Sequence, residues 1–81
     1  MLINDYDFEE LAEGAVILDG LDNAIIGIVE SFGVGNRILY SKKKIIEELQ
    51  KQDMDELEAL EFYNFNILGL YAAEQNPLFL I

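Results

Sequence analysis

A chain of 81 residues with neither cysteine nor histidine has only side-chain packing, or association with another chain, to hold it in one shape. Disulfide staples are excluded, and so is the soft-metal site that thiolate or imidazole ligands build. Small chains also bury a smaller share of their surface than large ones, so one hydrophobic core is the most this length supports. Residues 1–81 are read as a single domain.

Material for that core is plentiful. The apolar share of 52%, with five phenylalanines and four tyrosines, lies far from the low-hydrophobicity signature of disorder. The longest apolar runs, such as Ile67 to Ala73, fall well short of the roughly 20 residues that cross a bilayer. Asp5, Asp7, Glu9 and Glu10 occupy the stretch where a signal peptide carries positive charge, so a cytoplasmic location is expected.

Sixteen acidic residues against five basic ones give a formal charge of -11. Such a surface repels nucleic-acid backbones and anionic membranes over about a Debye length, which argues against either as a direct partner. The five cations, Arg37, Lys42, Lys43, Lys44 and Lys51, all fall in one central stretch, so a small basic patch inside an acidic shell is expected.

Along the chain, Asp5 to Glu13 has the acids and the apolar spacing of a short helix that Gly14 would stop. Ala15 to Leu18, closed by Asp19-Gly20, reads as an edge strand or the approach to one. Ala24 to Val29 matches a helical period, but its β-branched residues and Gly27 favour a strand. Gly33 and Gly35 tolerate positive φ, and Arg37 to Tyr40 is apolar enough to pair back as an antiparallel hairpin. Ser41 is a natural N-cap for a helix ending near Gln52, with Ile45, Ile46 and Leu49 as its apolar stripe. Asp55 and Glu58 have capping-box spacing at the start of a second helix that should reach about Ala73. That helix is apolar on both sides, through Leu57, Leu60, Ile67 and Leu68 and again through Phe62 and Phe65, so burial nearly all round is expected. After the turn at Gln75, Asn76 and Pro77, Leu78 to Ile81 reads as a strand added to the hairpin. The fold class is therefore α+β: a small antiparallel sheet of hairpin and C-terminal strand, packed against two main helices.

Few residues suit catalysis. Without histidine or cysteine the common activated nucleophile pairs are absent, and Ser41 beside Lys42 to Lys44 is better explained as a helix cap next to solvated lysines. Asp19 and Asp22 are the best candidates for a carboxylate metal site, yet the segment lacks the alternating ligands of a calcium loop. Gly33-x-Gly35 lacks the third glycine, the lysine and the helix start that hold a phosphate. No catalytic residue, cofactor or metal is assigned. Asn64 and Asn66 are expected to be buried amides tying the second helix to its neighbours or, in the functional reading, to face a groove and contact a partner, and Gly69 with Ala72 and Ala73 to be a point of close approach for another element.

The segments from Leu21 to Gly27, Ile38 to Tyr40, Lys44 to Leu49, Glu58 to Glu61 and Phe65 to Tyr71, with Glu74 and Pro77, resemble a family of small uncharacterised proteins of bacteriophages and prophages. The resemblance spans about residues 19 to 81. Its most specific pieces are the Phe-Asn-x-x-Gly block, Phe65 to Gly69, and the continuation Glu74-x-x-Pro77-x-Phe79. Ala73 stands where members of that family carry a glycine before the glutamate. The resemblance implies a phage or mobile-element setting and brings no established activity, so it supplies no catalytic residues.

These features point to a small interaction protein that self-associates, as a dimer, and acts on a host protein. The candidate interface is Phe62, Phe65, Asn66, Gly69, Tyr71 and Ala72, because surplus aromatic and small residues gather there. A sharper alternative has the acidic surface imitate nucleic-acid charge in the basic groove of a host nuclease, polymerase or defence complex. The rival from another class is a carboxylate-based metal-dependent enzyme using Asp19 and Asp22.

Overall fold

The computed structural model describes residues 8, 10–69 and 74–81. Its sheet starts where β-branched residues favour extended backbone: Ile25, Ile26, Ile28 and Val29 form strand β1 (Ile25–Val29), entered through a 3₁₀ turn at Asp22–Ala24. Strand β2 (Arg37–Ser41) returns antiparallel beside it, with Ile38 opposite Ile28 and Arg37 opposite Val29. Ile25 faces Tyr40 while Gly27 faces Leu39, so Ile26 is an extra residue bulged out beside the glycine. Along β2 the buried residues alternate, Ile38 and Tyr40 pointing into the core and Leu39 to the opposite face.

Ser41 ends the strand and starts the next element, because its hydroxyl accepts a 3.2 Å hydrogen bond from the Lys44 amide. Helix α1 (Lys42–Gln50) follows and buries Ile45 and Leu49, with Ile46 partly covered. Helix α2 (Glu56–Phe62) opens on the expected capping box: the Asp55 carboxylate accepts from the Glu58 amide at 2.8 Å, and the Glu58 carboxylate from the Asp55 amide at 3.2 Å.

Beyond Phe62 the helix widens into a π segment, Tyr63–Leu68, so the expected long α-helix is regular only in its first part, and its expected end near Ala73 lies outside the described residues. The widening has a packing reason. The buried side chains are Ala59, Tyr63 and Ile67, each four residues apart. A step of four overshoots an α turn by about 40°. In a π turn, with its longer i→i+5 bonds, the same step falls short. One step of each kind brings Ile67 back over Ala59.

Strand β3 (Leu78–Leu80) joins the free edge of β2, giving the order β1-β2-β3. It pairs parallel to β2, Tyr40 beside Phe79, which corrects the all-antiparallel expectation: the sheet is mixed. Parallel pairing needs a crossover of a dozen or more residues, and α1, α2 and the π segment supply one. Phe79 is clasped by aromatic rings, stacked on Tyr40 at 6.1 Å and edge-on to Tyr63 at 5.6 Å, which locks the last strand to both sheet and helix.

At the other end, Phe8, Glu10 and Leu11 are helical and the Ala12 amide donates to the Phe8 carbonyl at 2.8 Å. Residues 5–7 and 9 of the expected helix lie outside the described residues. Gly14, at φ +80°, closes the turn. Ala15 to Leu18 forms no strand. Two of its amides are satisfied from elsewhere, Val16 by the Gln75 carbonyl at 3.1 Å and Leu18 by the Tyr40 hydroxyl at 2.8 Å.

Candidate functional site

The buried stripe of Ala59, Tyr63 and Ile67 leaves the other apolar side of the same helix uncovered. Phe65 is 80% exposed, Leu57 65%, Leu68 52% and Phe62 38%. Burial nearly all round is thus corrected to burial along one stripe, with Phe62 and Leu68 at its margins: Phe62 also lines a hollow with Leu18, Leu21 and Leu49, and Leu68 one with Arg37, Pro77 and Phe79. Between Phe62 and Phe65 lies a shallow open depression of about 340 Å³, lined also by Met54, Glu58, Glu61 and Asn66. Of these, Met54 is partly covered, and Glu58 and Glu61 are exposed.

Three of the six expected interface residues, Phe62, Phe65 and Asn66, come together in this depression. Gly69 follows at the end of the π segment and is exposed, while Tyr71 and Ala72 lie outside the described residues. Two roles change. Asn64 and Asn66 face solvent instead of the core, because the π turn places Tyr63 and Ile67 on the buried line and the amides off it. Gly69 is no seat for a neighbouring element either: the atoms nearest an added Cβ would be the Asn64 and Phe65 carbonyl oxygens of its own helix, at 3.3 and 3.5 Å.

The residues weighed for chemistry take other positions. The Ser41 hydroxyl caps α1. The Lys42 ammonium lies 5.2 Å from the centre of the Tyr63 ring, the Arg37 guanidinium donates to the Asn76 carbonyl at 2.8 Å, and Lys51 pairs with Glu48 at 2.8 Å. Part of the central basic patch is thereby engaged within the fold. The Lys51 hydrogen bond holds the Glu48 carboxyl below its ordinary range, and burial pushes the Tyr40 and Tyr63 phenols above theirs. Asp19 and Asp22 are exposed, and among the described residues no group of three or more acids converges as a metal ion requires. Also among the described residues, no helix is long and apolar enough to cross a membrane.

One structural residue was not visible in the pattern. The Gln75 side-chain amide donates to the carbonyls of Asn36 at 2.9 Å and Glu13 at 3.3 Å, and Asn36 in turn donates to the Leu11 carbonyl at 2.9 Å. The amide is packed so tightly that a Cβ on Gly14 or Gly35 would sit 2.8 or 2.7 Å from it. Three turns distant in sequence are thus tied at one point. The pair of glycines flanking it was the available signal.

Family models, curated proteins and solved structures were all compared with this chain, and none matches.

Proposed function

We propose that this protein is a small, non-catalytic interaction module of a phage or mobile-element setting, acting in the host cytoplasm by docking a host protein on the outer face of α2 and the π segment. The exposure of Phe65 carries the reading. A phenylalanine left in water forgoes roughly 1.5–3 kcal/mol of burial free energy, and here it stands beside Phe62 and the Met54 depression instead of alone. Aromatic side chains grouped in this way are the usual anchors at interface centres.

The formal charge of -11 supports the reading as well, since it keeps an apolar face from promoting indiscriminate association. Capture from host lysate tests it, with the protein compared against its Phe65→Ser variant. The expected result is a host protein retained by the first and lost by the second, with both equally folded. Retention by both would remove this face from the docking role.

A further inference from the structure

We infer that the occupant of this face is a basic amphipathic helix, with apolar anchors over Phe62 and Phe65 and lysines or arginines against Glu58 and Glu61. The inference rests on the docking reading above and adds the chemistry of the partner. Its first support is the lining itself, which sets Met54, Phe62 and Phe65 beside Asn66 and two exposed carboxylates, Glu58 and Glu61. Methionine adapts to varied apolar side chains and aromatic rings anchor them, which is how apolar grooves accept helices.

The second support is the charge around it. From residue 52 to residue 81 the sequence carries six acids, Asp53, Asp55, Glu56, Glu58, Glu61 and Glu74, and no lysine or arginine. Lys51, the nearest cation in sequence, is paired with Glu48. Glu58 uses one oxygen on the Asp55 amide, which leaves the other to a partner. A second copy of the chain seated face to face would set these carboxylates against each other, like charge on like. Nucleic acid and anionic lipid meet the same repulsion. The ridge also has a matching length: Glu56 to Leu68 spans at most about 18 Å, against which a partner helix of about three turns can lie.

The probe is a synthetic helical peptide of about four turns with leucines along one face and lysines along the flanks. A second peptide keeps the leucines and replaces every lysine with glutamine. Binding is followed by anisotropy and by the ring proton shifts of Phe62 and Phe65. The lysine peptide is expected to bind and to perturb both rings. Its affinity should fall about tenfold or more when salt rises from about 50 to about 500 mM, and by a similar factor with the glutamine peptide. The double variant Glu58→Gln, Glu61→Gln should lose about tenfold as well, since glutamine keeps the capping bond while removing the charge. Phe65→Ser should abolish binding.

Equal binding of the two peptides would overturn the basic-partner inference and leave the docking face standing. Binding of the lysine peptide that ignores Phe65→Ser would show bare charge attraction and overturn it too. Failure of the lysine peptide to bind, with or without self-association through Phe65, would do the same. Failure of the docking reading itself shows elsewhere, as host-protein capture indifferent to Phe65→Ser.

Discussion

Helix α1 and the helix formed by α2 and the π segment lie side by side, yet they convert apolar sequence into structure differently. In α1 the apolar residues are few and almost all are used: Ile45 and Leu49 are buried and Ile46 packs against them. The second helix has more apolar residues, but its buried set is Ala59, Tyr63 and Ile67, while Leu57, Phe65 and Leu68 stand more than half exposed. A helix has two sides and this fold offers it one. Where an apolar pattern fits a single stripe, burial follows; where it exceeds one, the surplus remains for another molecule.

The largest test of that difference lies inside the second helix. Tyr63→Ala removes a ring that is 1% exposed, touches Phe79 and lies under Lys42, and should cost about 3–5 kcal/mol, most of the stability of a domain this small. Ile45→Ala in α1 should cost about 2–5 kcal/mol. Thermal melts of the two variants measure both. If Tyr63→Ala melted within a few degrees of the parent, the buried stripe would be misplaced.

The same stripe can be probed without substitution. Tyr40 and Tyr63 have phenols raised by burial, so the folded state holds their protons more tightly than the unfolded chain. Their contribution is fully present below the unfolded value near 10 and is lost as pH rises through the folded values. The expectation is that phenolate absorbance of these two residues appears late and together with loss of the folded circular dichroism signal. Phenolate formation in an intact fold would contradict the burial.

A smaller contrast separates the helix starts. The Ser41 cap is a single bond at 3.2 Å, whereas Asp55 makes a 2.8 Å bond with its charge near the helix N-terminus and receives the reciprocal Glu58 bond. Each cap is worth about 0.5–2 kcal/mol, with Asp55→Ala at the upper end and Ser41→Ala at the lower. Denaturant midpoints in the reverse order would show that the π segment, not the capping box, holds the second helix.

What the sequence made legible was local. Gly33 and Gly35 marked the hairpin turn, Ser41 and Asp55 marked the two helix starts, and β-branched residues marked β1, because each signal acts within a few residues of itself. The direction of β3 was hidden, since a crossover as long as residues 42–77 permits pairing in either sense. The π turn was hidden too: its cause is the buried line that Ala59, Tyr63 and Ile67 must share, a tertiary demand that no helical period announces. Of the candidate interface, Phe62, Phe65 and Asn66 line one depression. They were named because the second helix has more apolar side chain than its own chain was expected to cover, and Phe65 is 80% exposed.

The smallest expected effect on stability is also the most discriminating. Phe65→Ser should change the folding free energy by no more than about 0.5 kcal/mol, the usual range for a surface position, because a ring 80% exposed contributes little burial to lose. Serine and phenylalanine have similar helix propensities, so that difference stays within a few tenths of a kcal/mol. The neighbouring Tyr63→Ala, two residues away on the same helix, sets the scale for what a buried ring there is worth. A melting temperature for Phe65→Ser close to that of the parent, measured in the isolated protein, therefore places Phe65 outside the core. A large drop would mean that Phe65 is already covered in solution, and comparing the melt at two protein concentrations identifies the cover: a concentration-dependent midpoint points to a second copy of the chain, a constant one to the chain's own remaining residues.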